Sequence, residues 1–133
     1  MARKPTHNKS GKPKVLVVED DTFLAGMYLT KLSLEGFEVE LAGDGRDGLK
    51  KAQDWLPDVI LLDIVLPVMD GFGVLEGLKK DPATREIPVM LLTNLGQRND
   101  VERGLNLGAA DYLIKAHFMP SEVIDKVKRL LRG

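Results

Sequence analysis

Three continuous apolar runs punctuate the 133-residue chain: Val15–Val18, Val59–Leu62 and Val89–Leu92. Runs of this length, rich in β-branched residues and bounded by turn signals, read as strands buried on both faces. A fourth segment, "FEVEL" (Phe37–Leu41), alternates apolar and polar residues as a half-buried strand should, and "DYLIK" (Asp111–Lys115) is a short fifth. Between the strands the period changes. Leu24, Met27, Tyr28 and Leu32 recur at helical spacing from Thr22 to Glu35, and Gly36 supplies the stop. Further helices are expected over "DGRDGLKKAQDWL", "DGFGVLEGLKK", "RNDVERGLNLG" and from about Ser121 to Leu131. The helix over "DGFGVLEGLKK" is intrinsically weak because of Gly73 and Gly77.

Strict alternation of strand and helix implies a parallel sheet covered on both faces, with right-handed crossovers. The expected fold is α/β: a flavodoxin-like, doubly wound five-stranded parallel sheet of order 2-1-3-4-5, with five helices on both faces. Ligands of such sheets bind beyond the carboxyl ends of the strands. Chemistry is therefore expected just after Val18, Leu62, Leu92 and Ile114.

Composition narrows this reading. There are no cysteines, which excludes disulfides, thiol nucleophiles and thiolate metal sites. No apolar run approaches the ~20 residues of a membrane helix, and the four-residue run after the basic amino terminus is too short for a secretory signal core, so no membrane partner is expected and a cytoplasmic location is. The net charge of −1 hides an asymmetry. Residues 1–14 hold five basic side chains and no acid, leaving the rest with 14 basic and 20 acidic ones, a net of −6. An acidic body argues against direct nucleic-acid binding. Residues 1–13 read as a flexible basic arm and 14–133 as one domain.

At the expected strand ends stand Glu19, Asp20 and Asp21; Asp63; Thr93; and Lys115. Any one alone would read as a cap, and Asp20 or Asp21 does suit the start of the first helix. Together they converge on one crevice. Three carboxylates from the ends of the first and third strands, drawn from Glu19, Asp20, Asp21 and Asp63, would form an all-oxygen site for a hard cation, and Mg²⁺ suits it. Before the ion binds, at least one carboxyl should have a raised pKa. A cation, an ammonium and a hydroxyl around one carboxylate are the equipment of phosphoryl transfer, with Asp63 as nucleophile.

The segments "VLVVEDD", "PDVILLDIVLPVMDG", "VMLLTN" and "GAADYLIK", in this order, resemble the receiver domain of bacterial two-component response regulators. The resemblance spans about Lys14 to Leu131. It implies phosphorylation of Asp63 by a sensor histidine kinase or histidine phosphotransfer protein, with Mg²⁺ as cofactor. It also implies direct metal ligation by Asp20 and Asp63, a role for Glu19 through a metal-bound water, and the Val65 backbone carbonyl as a further ligand. Thr93 and Lys115 match the switch hydroxyl and the phosphate-contacting lysine, and Tyr112 the aromatic that turns inward when Thr93 moves. Phe23, off the apolar stripe of the first helix, matches a kinase contact. The chain is then a phosphorylation-dependent switch rather than an enzyme on external substrates. It would signal through the face formed by helix 4, strand 5 and helix 5 to a protein target, or as a phosphorylation-dependent homodimer.

Three departures from the family pattern carry expectations. Ala116 replaces the usual proline after the lysine, so either a strained cis bond is supported there or the loop runs trans. Asn94 replaces a small residue after Thr93. Val65 and Leu95, two positions beyond Asp63 and Thr93, are apolar and cannot orient water, so the acyl phosphate should hydrolyse slowly. His7 and His117 read as bystanders. No recognisable segment follows the last helix, which suits a stand-alone receiver or a fragment of a longer regulator. The rival readings fit less well. A haloacid dehalogenase-like phosphatase needs a second Asp where Val65 stands. A flavin- or nucleotide-binding module needs a glycine-rich loop where "EDD" stands.

Overall fold

Apolar side chains at every position from Val15 to Val18 let one strand bury both of its faces. In the computed structural model, which describes residues 11–94, 98–115 and 119–133, this segment is β1 (Lys14–Val18), buried throughout. Parallel to it lie β2 (Glu38–Ala42), β3 (Val59–Asp63), β4 (Val89–Thr93) and β5 (Asp111–Ile114), in the order β2-β1-β3-β4-β5. The crossovers are α1 (Thr22–Leu34), α2 (Gly45–Trp55), α3 (Gly71–Lys80) and α4 (Arg98–Asn106), and α5 (Pro120–Arg132) follows β5. The expected architecture and strand order are thus the observed ones.

Side chains alternate across a strand, so each run feeds two cores. Leu16, Val18, Ile60, Leu62 and Leu91 pack with Ala52 of α2 and with Leu75 and Leu78 of α3. Val15, Val17, Leu61, Leu92 and Leu113 pack on the other face with Tyr28 and Leu32 of α1 and with Val123 and Val127 of α5. Among the described residues, three helices begin on an aspartate whose side chain accepts backbone N–H bonds: Asp21 before α1, Asp44 before α2 and Asp70 before α3. Each cap satisfies donors that the first turn leaves open. Gly36 ends the first crossover helix with φ +92, a conformation glycine adopts without steric cost.

The differences from expectation are local. Met27 belongs to the expected apolar stripe of α1, but it lines a surface groove with Phe23, Gly26 and Thr30 instead. The core contacts of α1 are carried by Tyr28, Leu32 and the partly buried Leu24. Phe37 lies just before β2 rather than in it, yet it is buried, and α5 begins one residue earlier and ends one later than expected.

Candidate functional site

The strand register decides which groups meet. β1 pairs with β3 from Val15–Val59 to Val18–Leu62, so the residues that follow, Glu19 and Asp63, leave the sheet side by side. Asp63 lies opposite Leu92, and Thr93 opposite Ile114, which brings Lys115 to the same edge. Glu19, Asp63 and Lys115 are also in phase with Val17, Leu61 and Leu113, one face of the sheet. Thr93 is in phase with Leu91, on the other face.

One oxygen from each of Glu19, Asp20 and Asp63 lies within 4.8 Å of the others. Glu19 and Asp63 are buried and Asp20 is exposed. The Lys115 ammonium stands 2.8 Å from Glu19 Oε1 and donates to Asp63 Oδ2 at 3.0 Å. The first of these is a close charge contact rather than an aligned hydrogen bond. Asp63 Oδ1 accepts from the Val65 N–H at 3.2 Å, and Glu19 Oε2 from the Asp21 N–H at 3.2 Å. Asp21 itself turns away, its Oδ1 accepting from the N–H groups of Phe23 and Leu24. It caps α1.

Burial pushes the Glu19 carboxyl above its usual range, and the adjacent Asp63 adds to the shift, against the opposing pull of Lys115 and the Asp21 N–H. Burial alone would weaken the Lys115 ammonium, but Glu19 and Asp63 outweigh it and the net shift is upward. A buried carboxyl held partly toward its neutral form beside two others is the strain expected of such a cluster. The donors are hard oxygens, one of them open to water, and they fit a small divalent cation such as Mg²⁺ that keeps several of its waters.

The remaining predicted positions are placed as follows. Thr93 is buried at the end of β4, where its hydroxyl makes one long contact of 3.4 Å to the Asn94 carbonyl. Asn94 is exposed. Tyr112 is 38% exposed, and Val65, two residues beyond Asp63, and Phe23, on α1, are exposed. Leu95, Ala116, His7 and His117 lie outside the described residues, and with them the Lys115–Ala116 peptide.

Two contributors escape a reading of the sequence. A Cβ on Gly71 would overlap the Asp63 carbonyl oxygen and come within 2.8 Å of Ile64 Cα, while the Gly71 N–H donates to the Ile64 carbonyl at 2.8 Å. Gly71 thereby clamps the loop after β3 onto the backbone of Asp63. The "DG" at the start of α3 was the available signal. Tyr28, 1% exposed on α1, has its phenol pushed up to about 12 by burial first and then by the field of Glu19. Nothing in helical periodicity distinguishes it from an ordinary core residue.

Among the described residues no helix is long and apolar enough to cross a membrane. The family model described as "Response regulator receiver domain" matches residues 15–128. The DNA-binding dual master transcriptional regulator RpaA of Synechocystis sp. is 40% identical over 90% of this chain and 49% of its own length. The chain spans about half the length of that relative. Among solved structures, a putative response regulator from Chloroflexus aurantiacus superposes with a TM-score of 0.87 at 33% identity, covering 92% of this chain and 99% of that one. The receiver domain of sensor histidine kinase PA1611 from Pseudomonas aeruginosa, with a magnesium ion in its active-site cleft, has a TM-score of 0.85 at 28% identity. That match covers 92% of this chain and 100% of the other. With these likenesses added to the sheet order and the acid–lysine cluster, the chain belongs to the response regulator receiver domain family.

Proposed function

We propose that Asp63 accepts a phosphoryl group from a sensor histidine kinase or histidine phosphotransfer protein, and that the resulting acyl phosphate is a signal rather than a step of metabolism. The observation that carries this reading is the placement of Lys115 Nζ 3.0 Å from Asp63 Oδ2, inside a cluster of three carboxylates at the carboxyl edge of the sheet. A side-chain oxygen of Asp63 attacks phosphorus, the N–P bond of the phosphohistidine breaks, and the electron pair leaves with the imidazole. The ammonium of Lys115 faces the charge that develops on the phosphoryl oxygens. Glu19, Asp20, Asp63 and the Val65 carbonyl would hold Mg²⁺, which supplies charge neutralisation for the transferring group. The magnesium named in the cleft of the Pseudomonas receiver supports that choice of ion.

The output follows from Thr93 and Tyr112. Both side chains lie on the α4 face by alternation, and Tyr112 pairs with Leu91, two residues from Thr93, so they are diagonal neighbours. A phosphoryl group that draws Thr93 toward it opens space for Tyr112 to turn inward, shifting the population of the α4–β5–α5 face. Only Gly104 of α4 is buried, which leaves that helix lightly anchored and able to respond. The exposed Phe23 is the proposed kinase contact. The downstream partner is a protein or a second phosphorylated copy. Direct nucleic-acid binding, named for the longer RpaA, is not assigned to this acidic segment of residues 14–133. The location is cytoplasmic, and the only reactions catalysed are the chain's own phosphorylation and dephosphorylation.

Incubation with Mg²⁺ and acetyl phosphate, followed by intact-mass measurement, tests this. The native chain should gain one phosphoryl group and Asp63→Asn none. No uptake by correctly folded native protein would remove the phosphoacceptor reading.

A further inference from the structure

A second cluster of charged contacts lies at the β5 edge of the sheet, away from the acidic pocket. Lys126, in the middle of α5, donates to both carboxylate oxygens of Asp111, at 3.3 and 3.1 Å. The same ammonium lies 6.0 Å from the centre of the Tyr112 ring. Asp111 Oδ1 also accepts the Tyr112 N–H at 2.8 Å. One carboxylate therefore fixes the amine, and the fixed amine faces the aromatic. The Lys126 and Asp111 side chains are 19% and 26% exposed, so their contact is partly shielded from solvent.

We propose that Lys126 is a positioning residue for Tyr112: its ammonium, tethered by Asp111, holds the ring outward and biases the switch toward its unphosphorylated arrangement. The proposal rests on the reading of Tyr112 as the moving aromatic. The physical distinction is between two contacts of one amine. The Lys126–Asp111 pair joins α5 to β5 whichever way the ring points, so it stabilises both arrangements alike. The ammonium–ring contact exists only while Tyr112 is outward, so it alone changes the balance between them. A partly exposed cation–π contact corresponds to about a two- to fivefold change in that population ratio. The apparent affinity of a ligand for the inward arrangement should change by the same factor when that arrangement is the minor one.

The full chain carries two tyrosines, so incorporation of 3-fluorotyrosine gives two ¹⁹F signals. The buried Tyr28 reports an intact core, and Tyr112→Phe assigns the other. Titration with beryllofluoride and Mg²⁺, a mimic of the phosphorylated aspartate, then measures the inward arrangement. Lys126→Met and Lys126→Gln should bind beryllofluoride about two- to fivefold more tightly than the native chain. Lys126→Arg, which keeps the cation, should match the native chain. The expected direction is opposite to the general electrostatic effect, because removing a positive charge weakens anion binding. Unchanged or weaker binding by both neutral variants, with the Tyr28 signal of each ligand-free variant at its native position, would show that Lys126 only joins two elements and would overturn the proposal. Formation of the complex in the native chain with no movement of the Tyr112 signal would overturn both the proposal and the switch reading of Tyr112. Failure of the native chain to form the complex at all would overturn the Asp63 reading, and the proposal with it.

Discussion

Glu19 shows how far a single residue carries the chemistry. Its carboxyl titrates above its ordinary value of 4.5 in the folded chain, mainly because it is buried. A raised folded-state pKa contributes stability that is complete below the unfolded value and is lost as pH rises through the folded one. Metal-free protein should therefore lose stability as pH rises above about 4.5, whereas Mg²⁺ prefers the carboxylate. Thermal unfolding with and without MgCl₂ should show an increment from the ion that grows with pH over that range; an increment that shrinks would contradict this site. Under the proposed function, Val65 bears on the lifetime of the acyl phosphate. It is 59% exposed and offers no side-chain hydrogen bond to an attacking water. Val65→Asn supplies one, worth up to about tenfold in rate, and should shorten the acyl phosphate's half-life without changing its formation. Val68 bears on stability instead. It sits at φ +73, with the Met69 N–H bonded to the Pro67 carbonyl at 2.8 Å across a tight three-residue turn. That conformation is costly for a β-branched residue, and the side chain is 66% exposed, so little packing depends on it. Val68→Gly should stabilise by about 1 kcal/mol, read as a rise of roughly 3–5 °C in the unfolding midpoint. A fall would mean that the turn draws on contacts of the valine itself. The acids and the lysine were legible from the sequence because their residue types are conspicuous at strand ends. The strain at Val68 was not, since no local rule places a valine at positive φ.

At the scale of elements, the caps connect folding to the site. Asp21 holds the first turn of α1 with its side chain and Glu19 Oε2 with its own N–H. Asp21→Ala should cost about 1 kcal/mol through the lost cap, within a range of about 0.5–2. The backbone N–H survives, so phosphoryl uptake at saturating Mg²⁺ should persist while the chemical-denaturation midpoint falls. Loss of uptake at full folding would give Asp21 a direct role. Strand and helix identities were readable because buried parallel strands are continuous apolar runs, and Gly36 marks a stop. α3 was the exception, a weak helix on propensity because of Gly73 and Gly77. A Cβ on Gly77 would come within 2.8 Å of Leu49 Cδ2, so the lost propensity is exchanged for close approach of α2 and α3. Met27 failed in the opposite sense. Its spacing belongs to the apolar face of α1, but the helix meets the sheet through Tyr28 and Leu32, and Met27 is left at the rim.

For the whole molecule, the two edges of the sheet behave differently. At the amino edge Lys14 Nζ donates to the Trp55 carbonyl at 2.6 Å and lies 5.1 Å from the ring, closing the exit of α2. Trp55 is the chain's single tryptophan, and the five residues of β1 put roughly 17 Å between that edge and the acids. Its fluorescence should therefore stay unchanged on addition of Mg²⁺ or on phosphorylation, while a signal at Tyr112 moves. Quenching of Trp55 would mean that the switch reaches across the sheet. Alternating apolar runs and periodic helices determined the parallel, doubly wound sheet from the sequence alone, because burial on two faces demands that pattern and right-handed crossovers leave few ways to connect it. Only the tertiary structure decided that Asp21 caps while Glu19 faces Lys115, that Gly71 must lack a side chain, and that Lys126 reaches Tyr112. These depend on register, on close approach and on side chains far apart in the chain, none of which leaves a periodic trace.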